Sequence, residues 1–369
     1  MKISRIHLEN FKQFNNLDIE VRNGVTGDIA KRFLLLGDNG TGKTTVLQGV
    51  ALALSMACYS TPEIEKFDWA GWLSSRYRRW GTPLIELTVH FSQKEIQATQ
   101  DIAMRWYESL PEKERQHFVK PADSEVVTLR LQGNYCSTAN QKDEEMAQFR
   151  GRYYARHLIN QGDYEAGALF EHLPGVFWFE QFRGLSTIED NLHFDENSSD
   201  NQHSGRVSYQ LALTELRQIL SIWFLKRVRS QNEDQDYYSS IENLYQKLFP
   251  NRQFIGPEPR YEKGIPTPSS HYFMLSDGHR VYDIQEMSAG EQAIFPILFQ
   301  FVRQQIDHSV VLIDEIELNL HPPLAQSLLS HLPEIGPNCQ FLYTTHSEVI
   351  RSISNPNQIY ALGGGQLCL

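Results

Sequence analysis

Residues 33–58 read FLLLGDNGTGKTTVLQGVALALSMAC. Four apolar residues, 33–36, predict a short buried strand, and the apolar run over 43–58 predicts a buried helix. Between them lie Gly37, Asp38, Asn39, Gly40, Thr41, Gly42, Lys43 and Thr44, which fit the phosphate-binding pattern G-x-x-x-x-G-K-[ST] in the strand–loop–helix context it requires. Glycines let such a loop curl so that its N–H groups face phosphate oxygens at the positive end of the helix. Lys43 is then placed to reach the β- and γ-phosphates, the Thr44 hydroxyl to ligate magnesium, and Thr45 is expected to bind the nucleotide with the rest of the loop. The expected cofactors are ATP and Mg2+.

Outward from this loop, residues 2–8 and 17–22 alternate apolar and polar, as two half-exposed strands do. Further strands are expected at 84–92, 125–132 and 175–182, helices at 94–118, 208–229 and 239–249, and a mixed helical stretch over 138–172. The polar tract 186–206 predicts a mobile loop, and the Gly- and Pro-rich tract 256–270 a connector. After residue 270 strands and helices interleave: strands 271–275, 281–284, 310–313, 340–344 and 358–362, and helices 291–306 and 323–332. That alternation indicates an α/β core with a mainly parallel sheet, and the run Val310-Val-Leu-Ile suits a strand buried on both faces.

Three more segments carry chemistry. The buried strand 310–313 ends in Asp314 and Glu315, where one carboxylate can hold magnesium through water and the next can polarise an attacking water. Ser288, Ala289, Gly290 and Glu291 form a small-residue turn at a helix start, able to present a hydroxyl and amides to an anion; the same residues also read as a capping box. Thr344, Thr345, His346 and Ser347 follow a strand. Together these elements resemble the ATP-binding heads of ABC-type ATPases in the SMC, RecF and OLD-like branch, with Met287-Ser-Ala-Gly-Glu291 standing for the signature L-S-G-G-Q. The run from Asp314 to Pro322 is similar to the D-E-x-E-x-x-L-H-P of OLD-type proteins, and the opening residues to the first strand pair of RecF-like heads. The whole resembles PtuA-like ATPases, including retron-associated ones.

The resemblance implies one head spanning 1–369: a nucleotide-binding core from 1–54 and 270–369, an antiparallel β lobe with insert over 55–132, and a helical insert over 133–269. It implies a homodimer or higher homo-oligomer of heads. In each composite site Lys43, Thr44, Asp314, Glu315 and His346 come from one chain and Ser288, Ala289, Gly290 and Glu291 act in trans. His346 is expected to contact the γ-phosphate. Gln181 is the candidate for a further magnesium-ligating glutamine, with Gln93 and Gln132 as alternatives. The implied role is an ATPase controlling a separate effector, a nuclease, in prokaryotic anti-phage defence; alternatives are a DNA-repair clamp and an ATP-dependent assembly scaffold.

Composition bounds these readings. The 369 residues are 41% hydrophobic and 21% charged, enough for a large core. A net charge of −11 argues against coating nucleic acid by bulk charge, leaving contact through a complex or a local groove. Three basic clusters, Arg76–Trp80, Arg150 with Arg152 and Arg156, and Lys226–Arg229, read as solvated or helix-end charge. Cys58, Cys136, Cys339 and Cys368 lack metal-ligand spacing and are expected as reduced thiols of a cytoplasmic protein, with no membrane span or signal peptide. The helices of 138–172 would reach about 45 Å at most, too short for an SMC-type arm, and no nuclease cluster is evident.

Overall fold

A computed structural model describes residues 1–59, 63–67, 69, 71–179, 209–229, 236–262 and 265–363. Its strands are β1 (Lys2–Phe11), β2 (Phe14–Glu20), β3 (Arg32–Leu36), β4 (Leu84–His90), β5 (Val126–Gln132), β6 (Tyr135–Thr138), β7 (Val176–Phe179), β8 (Gln253–Glu262), β9 (Ile265–Ser276), β10 (Val281–Asp283), β11 (Val310–Ile313), β12 (Gln340–Thr345) and β13 (Ile359–Ala361). The helices are α1 (Lys43–Cys58), α2 (Gln93–Ser109), α3 (Glu112–Arg115), α4 (Asp143–Ala147), α5 (Gly151–Asn160), α6 (Tyr209–Arg229), α7 (Tyr237–Leu248), α8 (Ala289–Arg303), α9 (Pro322–Ile335) and α10 (Glu348–Ile353). No helix among the described residues is long and apolar enough to cross a membrane.

The central sheet runs β13-β3-β12-β11-β7, and every pairing in it is parallel. Register then fixes the site. Leu36 stands opposite Thr345, Ile313 opposite Tyr343 and Phe179 opposite Ile313, so these strands deliver the residues that follow them to one edge. A second sheet, β2-β1-β4-β5-β6, is antiparallel throughout. Helix α1 is apolar on nearly every side, as a helix enclosed by protein must be. It shares one core with Ile3, Leu8 and Leu87 of the antiparallel sheet and with Phe33, Leu312 and Trp178 of the parallel one. Residues of opposite parity on the parallel strands, such as Leu34, Ile313 and Tyr343, face a separate core built with α6 to α9 and the small sheet β10-β9-β8.

Gln340 stitches the two large sheets directly. It is fully buried at the start of β12; its amide nitrogen donates to the carbonyls of Ile3 (2.8 Å) and Ala30 (2.9 Å), and its oxygen accepts from the Ile3 N–H (2.7 Å). A buried amide with its partners all met locks two elements that share no strand pairing.

The tract 256–270, expected to connect, instead forms most of the β8–β9 hairpin. Pro257 and Pro259 are tolerated because β8 is an edge strand whose register shifts between Phe254 and Gly256 and between Pro259 and Tyr261, and Pro266 and Pro268 lie on β9 ahead of Met274–Ser276, the part of it that pairs with β10. At Gly256, φ is +115°, and a Cβ would press to within 2.9 Å of Phe224. Strand β6 and helix α10 were not foreseen. Within the stretch 133–269, β6 joins the antiparallel sheet, β7 the parallel one, and β8 pairs with β9. The expected loop 186–206, Gln181 and Cys368 lie outside the described residues. Cys58, Cys136 and Cys339 are free thiols.

Arg152 does not belong to a solvated cluster, as its sequence neighbours suggested. It is 4% exposed, sits over the rings of Phe170 and Phe177, and donates to four carbonyls: Leu173 (3.1 Å), Phe170 (3.0 Å), Gln304 (2.8 Å) and Gln305 (2.9 Å). One planar guanidinium thereby ties α5 to the end of α8 and to the approach to β7. Replacing it should leave those carbonyls without their charged donor. We expect Arg152→Met to destabilise the chain by about 3 kcal/mol, and Arg152→Lys to recover only part of that, because an ammonium cannot reach the same four acceptors. Urea denaturation measures both; a wild-type midpoint for Arg152→Met would contradict the anchoring role.

Candidate nucleotide site

The loop 37–42 leaves β3 and enters α1 through two glycines with positive φ, Gly40 (+81°) and Gly42 (+101°). Gly42 is also crowded. A Cβ there would fall 2.4 Å from the Phe14 ring and 2.5 Å from Gln13 Nε2, so only glycine fits where the β1–β2 turn lies against the loop. Gln13 fastens that turn: its Nε2 donates to Gly40 O (3.1 Å), and its Oε1 accepts from Thr45 Oγ1 (3.1 Å). Nothing in the sequence around Gln13 signalled this.

Lys43 is 6% exposed, and its ammonium donates to the carbonyls of Gly37 (2.7 Å) and Asp38 (3.0 Å). Its charge therefore sits over the curl of the loop, which is where phosphate oxygens would meet it. Thr41 closes the loop on itself by donating from Oγ1 to Asp38 O (2.8 Å). Asn39 and Gly40 are the exposed residues of the turn.

Asp314 is 2% exposed and accepts two hydroxyl bonds, from Thr44 Oγ1 to Oδ2 (2.8 Å) and from Thr344 Oγ1 to Oδ1 (2.6 Å). Thr344 Oγ1 in turn accepts the N–H of Glu315 (2.7 Å). A single buried hydroxyl thus serves as donor to one acid and acceptor for the next. This matters because Glu315 holds φ at +46°, a left-handed conformation that a non-glycine residue keeps only when its surroundings impose it. The bond to Thr344 and the turn closed by Leu318 N–H on Glu315 O (2.9 Å) impose it here. In the sequence Thr344 is only part of the 344–347 segment, with no spacing that singles out its hydroxyl.

Glu317 and His346 meet across the same edge. Glu317 Oε1 accepts the His346 backbone N–H (3.0 Å) and lies 3.2 Å from His346 Nδ1. Glu317 Oε2 is buried with no hydrogen-bond partner among the described residues, and both residues line a cleft of about 280 Å³ with Leu320 and Ser347. The His346 side chain is half exposed. The structure thus brings Lys43, Thr44, Asp314, Glu315 and His346 to one edge of the sheet.

The signature-like turn is built differently. Ser288 is the N-cap of α8 and Glu291 its third residue, a reciprocal capping box. Ser288 donates from Oγ to Glu291 Oε2 (2.6 Å), while Glu291 Oε1 accepts from Tyr245 OH (2.6 Å), Arg252 Nε (2.9 Å) and Tyr282 OH (3.1 Å). Burial alone would raise the Glu291 pKa, but the bonds from Ser288, Tyr245 and Arg252 outweigh it and hold the carboxylate at about 2. Glu291 therefore faces inward, 2% exposed, whereas Ser288 and Ala289 are exposed and Gly290 is half-buried. Among the described residues, no hydrogen bond links this turn to the phosphate loop of its own chain. Gln93 opens α2 after the Ser92 cap and donates to Glu125 (2.7 Å), and Gln132 ends β5; both belong to the antiparallel side.

The donor set suits magnesium rather than a caged metal. Thr44 and Asp314 offer hard oxygen donors side by side, and no group of three His, Cys, Asp or Glu among the described residues could hold an ion alone. Magnesium is commonly bound through one carboxylate, a hydroxyl, water and substrate phosphates.

Known proteins resemble this chain along most of its length. The Retron Vc95 probable ATPase of Vibrio cholerae is 20% identical over 97% of this chain and 73% of that protein. The Retron Ec83 probable ATPase of Escherichia coli is 22% identical over 99% of this chain and 72% of that protein. Septu protein PtuA of Bacillus mycoides is 22% identical over 94% of this chain but 38% of its own length. Among solved structures, the SMC head domain from Thermotoga maritima aligns with 98% of this chain and 94% of that one, at 14% identity and a TM-score of 0.44. A family profile described as AAA ATPase domain matches residues 1–350, and the chain belongs to that family.

Proposed function

We propose that this chain hydrolyses ATP at sites shared between two copies, and that closing and opening of the pair controls a separate effector, a nuclease, in anti-phage defence. The observation that carries the catalytic half is the buried Asp314 carboxylate bonded to Thr44 at 2.8 Å. It joins the phosphate-loop helix to the strand that ends in the paired acids. The resemblance to retron and Septu ATPases supports the defence half.

In this reading Lys43 turns from the loop carbonyls toward the phosphates and neutralises their charge. Thr44 and Asp314 would hold magnesium, which supplies charge neutralisation on the phosphate oxygens when bound. Glu315, held in its unusual backbone conformation, aims a carboxylate at the attacking water and takes up its proton. His346 reaches the γ-phosphate. Exposed Ser288 and Ala289, with Gly290, complete the site of the other copy, while inward-facing Glu291 braces their turn. Differential affinity of the effector for closed and open pairs is the only way ATP can shift it.

Three outcomes check this reading. Glu315→Gln should bind ATP normally yet lose phosphate release by a factor of about a hundred or more; near-normal turnover would remove Glu315 from the mechanism. Thr344→Val, of similar volume but without the hydroxyl, should lower turnover at least tenfold and destabilise by about 1–3 kcal/mol, while Thr344→Ser stays near wild type; equal activity in both would mean that the hydroxyl does not set Glu315. Finally, Lys43→Ala and Ser288→Arg should each be inactive alone, and mixing them should restore part of the turnover through one intact hybrid site. No recovery despite proven heterodimers would argue against shared sites.

A further inference from the structure

The basic and aromatic stretch Arg76–Trp80 takes no part in the nucleotide chemistry derived above. It lies beside an open cleft of about 320 Å³ lined by Lys12, Trp72, Leu73, Arg76 and Trp80. Trp72 is buried as its floor and Tyr77, also buried, is pinned by its hydroxyl to Gly133 O (3.0 Å). Leu73 and Trp80 instead stand 61% and 58% exposed, against the usual preference for covering large apolar side chains. Arg79 lies over the Trp80 ring at 5.2 Å. Arg76, Arg78 and Arg79 are exposed, and among the described residues no carboxylate lies within ion-pair distance of any of them. Three unneutralised guanidinium groups gathered in one short segment run against a net charge of −11.

The cleft is also wired to the phosphate loop. Lys12 donates to Gly71 O (2.9 Å) and to Gln48 of α1, while its neighbour Gln13 holds Gly40 and Thr45. Lys12 keeps its place at φ +52°, so the β1–β2 turn is a stiff link between the two.

We propose that this cleft binds a single strand of nucleic acid, with an unstacked base against Trp80 and backbone phosphates against Arg76, Arg78 and Arg79. An exposed aromatic ring flanked by cations, as Trp80 is with Arg79 over one side of it, is what a single strand needs, because every base offers a π-face and every phosphate a charge. Three cations exceed what one mononucleotide base requires, and the cleft admits a ring that a duplex would keep stacked. The site does not depend on ATP hydrolysis, so its test stands apart from that of the ATPase.

The test is fluorescence anisotropy of a short labelled oligothymidylate with the full chain at low salt. Binding should weaken with salt at a log–log slope of about −2, as about three neutralised phosphates give for a single strand. Trp80→Ala should weaken binding about tenfold, and Arg76→Glu with Arg79→Glu should reduce both affinity and slope. Lys226→Glu with Arg229→Glu, a change of equal charge at the exposed end of α6, should bind as wild type does. Trp80 is on the surface, so a thermal midpoint matching wild type will show its variant folded. No binding at low salt, or unchanged binding by Trp80→Ala, would overturn the proposal. So would a loss of ATP affinity in that variant with oligonucleotide binding intact, which would give the cleft to the base of the mononucleotide. Equal competition by duplex DNA would overturn the single-strand assignment.

Discussion

Everything at the nucleotide edge depends on where the Asp314 carboxylate is held. It is buried at the end of β11 and accepts one hydroxyl from α1 and another from β12. Three elements far apart in sequence are thereby fixed by a single charged group. Hydrogen bonds to an ionised acceptor are stronger than neutral ones, and removing a donor from a buried carboxylate is more damaging than its net worth suggests. The same Thr344 hydroxyl passes the constraint on to Glu315. Position of the loop, position of Asp314 and backbone strain at Glu315 are thus one linked arrangement.

Around this hub the chain is braced by buried polar side chains in places where strands do not pair. Gln340 joins the parallel sheet to β1 and Arg152 joins α5 to α8. Glu291 joins the signature-like turn to Tyr245 on α7 and Arg252 beside β8. Each satisfies several partners at once, which is the condition for burying such groups without a large penalty. The Glu291 network also means that the exposed Ser288 turn cannot move without the elements that hold it.

The strands and helices of the parallel core were legible because apolar runs and alternation report burial directly, and because Gly37–Thr44 and Asp314–Glu315 sit where strands end. The β8–β9 hairpin was misread. Proline and glycine normally punctuate loops; the edge position and register shifts of β8, and the part of β9 that β10 leaves unpaired, explain their presence in strands. Arg152 was misread for a related reason: charge in a polar helix predicts exposure, and the four carbonyls that bury it lie on distant segments. Gln13 and Thr344 gave no pattern of their own, since their roles come from contacts across the sheet rather than from spacing. Gln181 lies outside the described residues, while Gln93 and Gln132 belong to the antiparallel side.

The account stands or falls on whether two copies close around nucleotide. In the proposed function, exposed Ser288 and Ala289, which make no hydrogen bond to their own phosphate loop among the described residues, would complete the site of a second chain. Sedimentation velocity of the full chain, with and without a slowly hydrolysed ATP analogue and magnesium, measures this directly. The predicted result is a nucleotide-dependent shift from the mass of one copy to that of two, or a compaction of a pre-formed pair, abolished by Lys43→Ala. A mass and shape unchanged at saturating analogue would contradict it.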